Sequence, residues 1–460
     1  MRLPRQALPA ALFCLILAPL ARSQDSHYWT NQYGTRATLL GGAVIGSVLD
    51  LSGTYYNPGG MSLIEKPETL LAANVFQYPR VTLTWNGQPG VPLYSQNPSP
   101  APSIIAGTIR VSGLKRHWFG YSYLSRQDVE IGASISSTGV RDILPDIPGD
   151  EDFTAHFRLD EKVSERWFGL TWSYRISKNV GIGISQYLAI RSHRVNLQEG
   201  LETLDSTGHI AMASSSRQYQ YRQYRTLTKI GLAFDLKNVT LGLTATTPSL
   251  AIAGTASTGL NATVVSLDLD GDGQPDDYLA ADYRGDQAAY YQTPFSLAGG
   301  MTIKLDNISV YWSAEWFDEI PFYAIVDSPP FASQSTGEML STDVTQQLKS
   351  VFNVGVGVEW LYSSRFKGYA SFTTDYSAKV PGSATNTSLT DWDIHHFFTG
   401  AEFSIKKTVL TFGLGYSFGS KSIDDRPDIP DIDDIPGMWD PYEGMKFRYA
   451  NYKLVLGIAI

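Results

Sequence analysis

From about residue 69 to the last residue, one pattern recurs along the chain: apolar positions alternate with small or polar ones. Val239, Leu241, Leu243 and Ala245 alternate with Thr240, Gly242, Thr244 and Thr246. Phe352, Val354, Val356, Val358 and Trp360 alternate with Asn353, Gly355, Gly357 and Glu359, and Leu410, Phe412, Leu414, Tyr416 and Phe418 with Thr411, Gly413, Gly415 and Ser417. Successive residues of a strand point to opposite faces, so each stretch is a strand with one apolar face and one small or polar face. Fourteen such strands are expected, near 69–85, 103–112, 116–135, 159–176, 180–197, 217–236, 239–253, 289–305, 308–320, 348–362, 366–376, 393–405, 408–419 and 446–460.

Alternation alone also fits a soluble sandwich, and the connections separate the two. One class is tight, as at Ser177-Lys178-Asn179, Lys237-Asn238 and Asp306-Asn307. The other is long and polar, roughly 86–102, 136–158, 254–288, 321–347, 377–392 and 420–445, and the two classes take turns along the chain. Short turns at one end and long loops at the other, with an even strand number, describe a transmembrane antiparallel β-barrel of the outer membrane. Clustered aromatics such as Trp118, Phe119, Tyr121 and Tyr123, or Trp167, Phe168, Trp172 and Tyr174, suit the headgroup level at the rims of such a barrel. The last strand ends on Ile460 rather than on the aromatic usual there.

Ahead of the strands lie two pieces of different character. Residues 1–23 read as a secretory signal: Arg2 and Arg5 precede an apolar core from Leu8 to Leu20, and Ala21-Arg22-Ser23 offers small residues for cleavage. Residues 24–68 hold the small, greasy run Leu39 to Leu49 and then Gly53-Thr54-Tyr55-Tyr56-Asn57-Pro58-Gly59-Gly60-Met61. Pro58 fixes φ, and the two glycines permit tight turns. The domains expected are therefore a signal peptide (1–23), a compact N-terminal piece with short helices (24–68) and the barrel (69–460).

Composition narrows the partners. Cys14 is the only cysteine and leaves with the signal, so neither disulfides nor a thiolate metal site are available. Loss of the leader, with three arginines and no acid, takes the formal net charge from −9 to about −12. That acidity argues against nucleic acid as a partner. Outer-membrane lipids and lipopolysaccharide, and a hydrophobic small molecule, are the expected partners of what is expected to be a monomer.

Three stretches resemble the FadL/TodX-type outer-membrane transporters of long-chain fatty acids and other hydrophobic compounds. They are Gly41 to Leu63 with Asn57-Pro58-Gly59-Gly60, where the family has Asn-Pro-Ala; Lys229-Ile230-Gly231-Leu232-Ala233-Phe234 through Thr247-Pro248; and Gln292-Thr293-Pro294-Phe295-Ser296-Leu297-Ala298-Gly299-Gly300, leading to Trp312-Ser313-Ala314-Glu315-Trp316. Gly59 departs from the family's alanine but keeps the position small. The resemblance implies a fourteen-stranded barrel whose lumen is plugged by the N-terminal piece as a hatch, with passive uptake from outside and exit sideways or past the hatch. A barrel of this fold serving as a protein-binding shuttle in secretion is the alternative.

For a fatty acid, a cation in the lumen would pair with the carboxylate. Parity places Arg110, Arg126, Arg191, Arg225 and Lys229 inward, with His396 and the acids Glu315, Glu359 and Glu402, although one bulge would reverse it. Such groups also simply solvate a polar interior. No cofactor is required. In the loop 268–277, Asp268, Asp270, Asp272 and Asp276 with Gln274 have the spacing of a calcium loop, and Gly273 stands at the sixth position; the closing glutamate is missing, with Leu279 in its place. A plain acidic loop reads the same way. Gly415-Tyr416-Ser417-Phe418-Gly419 matches a nucleophile elbow, but it lies within an alternating strand with no helix after it, so it is a chance match and no enzyme activity is expected.

Overall fold

The computed structural model describes residues 26–47, 50–64, 74–85, 91–94, 103–141, 149–267, 274–380, 392–406, 408–423 and 445–459. The signal 1–23, the end of the N-terminal piece, Asp268, Asp270, Asp272 and residues 424–444 of the loop expected at 420–445 lie outside these residues. The strands are β1 (Asn74–Trp85), β2 (Val91–Tyr94), β3 (Ile104–Ile109), β4 (His117–Arg141), β5 (Glu151–Ser177), β6 (Val180–Leu204), β7 (Ile210–Leu236), β8 (Val239–Thr246), β9 (Leu250–Leu267), β10 (Asp276–Ala288), β11 (Ser296–Lys304), β12 (Ile308–Phe317), β13 (Ile320–Val326), β14 (Phe331–Ala332), β15 (Met339–Leu340), β16 (Val344–Leu348), β17 (Val351–Ser363), β18 (Phe366–Asp375), β19 (Ile394–Ile405), β20 (Thr408–Ile423) and β21 (Met445–Ala459). All but β13 to β16 belong to one sheet, and every pairing is antiparallel. β1 pairs along its 12 residues with β21, so the first and last strands meet. Counting β2 with β3, β8 with β9 and β10 with β11, the described strands fill the fourteen wall positions expected.

Which face points outward decides what kind of barrel this is. Phe352, Val356, Val358 and Trp360 on β17 are exposed, as are Leu410, Phe412, Leu414, Tyr416 and Phe418 on β20, whereas Asn353, Glu359, Thr411 and Ser417 are buried. A soluble sandwich would do the reverse. From Leu410 to Phe418 the outward apolar row runs about 27 Å along the strand, or about 21 Å across a membrane at the usual ~40° tilt, close to the hydrocarbon band of a barrel. Among the described residues no helix is long and apolar enough to cross a membrane.

Two expectations need correction. The stretches 136–158 and 254–288 were expected as loops, yet most of each is strand: β4 runs to Arg141 and β5 starts at Glu151, while β9 runs to Leu267 and β10 starts at Asp276. The wall from β4 to β10 thus continues far beyond the apolar band. There the polarity is reversed: the outward residues are polar, and on β5 Phe153, Ala155, Phe157, Leu159 and Val163 face inward and are buried. Likewise 321–347 is not a bare loop. It folds into the β13–β16 and β14–β15 ladders, and Ile325, Val326 and Val344 pack against Tyr219, Tyr221 and Ala256 on the inner face of the extension.

The seventh and eighth wall strands are broken. β8 ends at Thr246 and β9 starts at Leu250, while opposite them β10 ends at Ala288 and β11 starts at Ser296. Across this break only a few bonds remain, such as Ser249 N to Thr293 O (3.3 Å) and Thr293 N to Ser249 Oγ (3.0 Å). Through β7 the break stands level with Arg225 and Thr226, which pair with Ala251 and Leu250, just below Arg222 where the outward face turns polar. It therefore lies near the outer edge of the apolar band.

Candidate functional site

Residues 26–47 and 50–64 fill the middle of the barrel with two short helices, Thr35–Leu39 and Gly53–Tyr56, and a 3-10 turn, Pro58–Leu63. Tyr33, Leu39, Leu40, Ala43 and Met61 are fully buried. Asn57 starts the 3-10 turn, and its side-chain oxygen accepts from Gly59 N at 3.0 Å. Its amide donates to Ile45 O (3.0 Å) within the hatch and to Leu232 O (2.9 Å) on β7. Pro58 at the first turn position loses no helical bond, because that N–H would have no partner there. Gly59 is small by necessity. A Cβ there would stand 2.5 Å from Gly231 O and 2.9 Å from Gly181 O. Opposing glycines on the wall, Gly181, Gly183 and Gly231, let the backbones of hatch and barrel touch. Asn57, Pro58, Gly59 and Gly60 are all buried, and the turn seats against β5, β6 and β7.

The start of the hatch is clasped to the opposite wall. Asp375, fully buried at the end of β18, accepts from Tyr28 N (3.1 Å), Trp29 N (2.9 Å) and Thr30 Oγ1 (2.7 Å). Lys453 donates to Thr30 O at 2.8 Å. Ser417 Oγ and His396 Nδ1 are 2.6 Å apart, and His396 Nε2 lies 3.7 Å from Asp375. These three residues have the composition of a hydrolytic triad, but all are fully buried, and Asp375 is taken up by the hatch backbone and Thr30. Lower in the lumen, Arg36 of the hatch bonds to Glu359, and Tyr369 bonds to Glu402.

Above the hatch the structure gathers four of the five cations expected in the lumen. Arg126 sits at a bulge between Ser125 and Gln127, where the parity of β4 flips. It donates to Tyr33 OH (2.9 Å) and Tyr55 OH (3.1 Å) and lies 4.9 Å from the Trp167 ring centre. Burial pushes the Tyr33 and Tyr55 phenols up, so both stay neutral. Arg191 and Arg225, fully buried, both bond to Glu165, at 2.9 and 2.6 Å, and both lie over Tyr291, at 4.1 and 4.8 Å from its ring centre. Lys229 is buried with its ammonium 4.5 Å from the Tyr55 ring centre, and among the described residues it has no hydrogen-bond or ion-pair partner. Glu315 accepts from Trp29 Nε1 (2.8 Å) and Ser296 Oγ (2.7 Å). Arg110 does not join them: β3 ends at Ile109, so strand parity does not reach it, and it is exposed in the turn before β4. Of the calcium-loop residues only Gln274 and Asp276 are described, and Asp276 opens β10, opposite Leu267.

Between hatch and wall lies a cavity of about 50 Å³ lined by Tyr55, Arg126, Trp167, Lys229, Tyr291 and Pro294. It backs onto the break in the wall, since Thr246, Thr293 and Ser296 also border it. The sequence offered no pairing for Glu165, which lies in the charged run Asp160 to Arg166, and no signal for Tyr291 or Asp375.

The toluene transporter TodX of Pseudomonas putida superposes on 93% of this chain and 98% of its own, with a TM-score of 0.55 and 13% identity. This is the FadL/TodX fold. The toluene transporter TbuX of Ralstonia pickettii gives 0.54 at 12% identity over 93% of this chain and 98% of its own. A FadL homologue of Pseudomonas aeruginosa gives 0.53 at 12% identity over 94% and 98%. No family model and no curated protein matches the sequence. The likeness therefore rests on shape, and the low identity leaves the lumen chemistry to be read from this FadL/TodX-type barrel itself.

Proposed function

We propose that the protein is an outer-membrane channel for passive uptake of hydrophobic compounds with an acidic head, long-chain fatty acids foremost. The observation that carries this reading is Lys229, a buried ammonium that makes no ion pair among the described residues, facing an aromatic cavity at a break in the wall. Around it Arg126, Arg191, Arg225 and Lys229 outnumber Glu165 and Glu315, so one carboxylate entering the cavity reduces a local excess of positive charge. Tyr55, Trp167 and Phe317 offer apolar area to the adjoining chain. Thr246 and Thr293 lead from the cavity to Leu250 and Ile252, which are exposed on the outside at the level of the outer leaflet. Exit through that break would deliver the tail sideways into lipid without crossing the polar surface layer. An acyl chain is larger than the cavity, so passage requires Tyr55 and the segment around Tyr28 to move.

The toluene transporters of the same fold support uptake of an apolar molecule in general. The cations favour an acid over a hydrocarbon. The small size of the cavity favours the second reading, a barrel that carries proteins at the cell surface on its extended wall. Uptake of labelled oleate and of its methyl ester by cells with and without the protein separates them. The transport reading expects faster oleate uptake that Lys229→Met reduces, and equal uptake with and without the protein sinks it.

A further inference from the structure

About 10–16 Å beyond the apolar band, which ends at Ile190 on β6 and Phe168 on β5, the outer face of the extension carries an unusual arrangement of charge. Register aligns Glu130, Lys162, Arg194, Gln220 and Ser257 in one row across β4, β5, β6, β7 and β9. Lys162 and Arg194 stand directly opposite each other, a like-charged cross-strand pair that destabilises a sheet unless an anion sits between them. Arg194 is exposed and has no ion-pair partner among the described residues. Arg158 stands two rungs further from the membrane than Lys162 on the same face of β5, and Arg166 two rungs nearer, beside the lipid-facing Phe168. The acids nearby do not fix these cations firmly. Arg158 bonds to Asp160 (2.8 Å) and Lys162 to Glu130 (2.8 Å), both as exposed pairs that contribute little and exchange readily.

The row lines a groove of about 1050 Å³ whose walls also present Asn196, Gln218 and the exposed ring of Tyr283. Its volume suits a sugar-sized headgroup, its amides and hydroxyls suit sugar hydroxyls, and an aromatic ring suits a sugar face. Cations above and an apolar wall below match one kind of partner, an acylated sugar that carries phosphates on its polar side. We infer that this groove binds the phosphorylated disaccharide of lipopolysaccharide, with Arg158, Lys162 and Arg194 on phosphate and the acyl chains along Phe168 and Leu188. The inference rests on the outer-membrane placement proposed above but not on the transported compound.

The test uses the full-length protein in neutral detergent and native mass spectrometry with Kdo2-lipid A, in its diphosphoryl and dephosphorylated forms. The wild type is expected to bind the diphosphoryl form about tenfold more tightly, the effect of one or two charge-assisted bonds at an exposed site. Arg158→Gln/Lys162→Gln/Arg194→Gln should lose that preference, while Lys178→Gln, in the tight turn at the far end of β5, should keep it. Heat-modifiable gel mobility and oleate uptake report separately whether the triple variant is folded and whether transport holds. Equal binding of the two lipids by the wild type, or an intact preference in a folded triple variant, overturns the assignment. So does displacement of the lipid by inorganic pyrophosphate, which would make the occupant a free anion.

Discussion

Replacing Gly231 by alanine puts a methyl group where the hatch already sits. The new Cβ would meet the Asn57 side-chain oxygen at a clashing distance, Pro58 Cδ at 2.8 Å and Gly59 N at 3.0 Å. Two of these are parts of a packed turn, and none is the free end of a flexible chain. Restoring ordinary contact requires the turn to withdraw by about 1 Å. A shift of that size strains three buried bonds that now measure 3.0, 3.0 and 2.9 Å: Gly59 N to Asn57, and Asn57 to Ile45 O and Leu232 O. Overpacking together with weakened buried bonds puts the cost at about 2–4 kcal/mol. Gly368→Ala is the matched control, because no atom stands within 4 Å of its Cβ position; it should change stability by no more than about 0.5 kcal/mol. Denaturant unfolding in lipid vesicles, read by gel mobility, measures both, and hydrogen exchange over residues 53–64 locates the effect. Gly231→Ala behaving like Gly368→Ala would refute the idea that the hatch is seated by backbone contact. A loss of stability without faster exchange in the turn would refute it too.

Asp375→Ala should free the first residues of the hatch, since it strips the acceptor from Tyr28, Trp29 and Thr30 and leaves buried Lys453 without its nearby anion; we expect a cost of about 3–5 kcal/mol and rapid exchange at residues 26–31. Lys229→Met should weaken oleate binding about tenfold, the effect of one charge-assisted bond, and leave methyl oleate unchanged, as titration of the purified protein with both ligands would show. At the tip of the β6–β7 hairpin, the backbone N–H of His209, with the hydroxyl and N–H of Thr207, holds the Asp205 carboxyl down to about 2. Its folded value lies below the ordinary one, so its support is present above about pH 4 and is lost as the pH falls toward 2. Exchange protection at Thr207 and His209 should fall in that window, and Asp205→Asn should remove the pH dependence.

The lipid-facing part of the fold was legible because its alternation is forced: outward residues must be apolar and inward ones need not be. β17 and β20 were readable for that reason, and so was the even strand count. The extension of β4, β5, β9 and β10 was not, since its outward face is polar and its charged stretches look like loop; the alternation of Phe153, Ala155, Phe157 and Leu159 with polar residues on β5 was the signal that marks it as strand. The break at Thr247-Pro248-Ser249 was visible as a motif but not as an interruption, because a proline is also tolerated at a strand end. In the lumen, parity found Arg126, Arg191, Arg225 and Lys229 but failed at Arg110, where the strand had ended. It could not find Asp375 or Glu165, whose roles depend on partners more than a hundred residues away or on neighbouring strands. The Asn57-Pro58-Gly59-Gly60 turn stood out early for its composition. Its reason, a backbone seated on wall glycines, needs the third dimension.

The account turns on whether a hydrophobic acid passes through this barrel. The most direct measurement is the initial rate of labelled oleate uptake by cells that lack their own uptake channel, expressing this protein or its Lys229→Met variant. Saturable uptake that depends on the protein and falls in the variant is the predicted result. Rates no higher than in cells without the protein, with the barrel folded in the outer membrane, would contradict it.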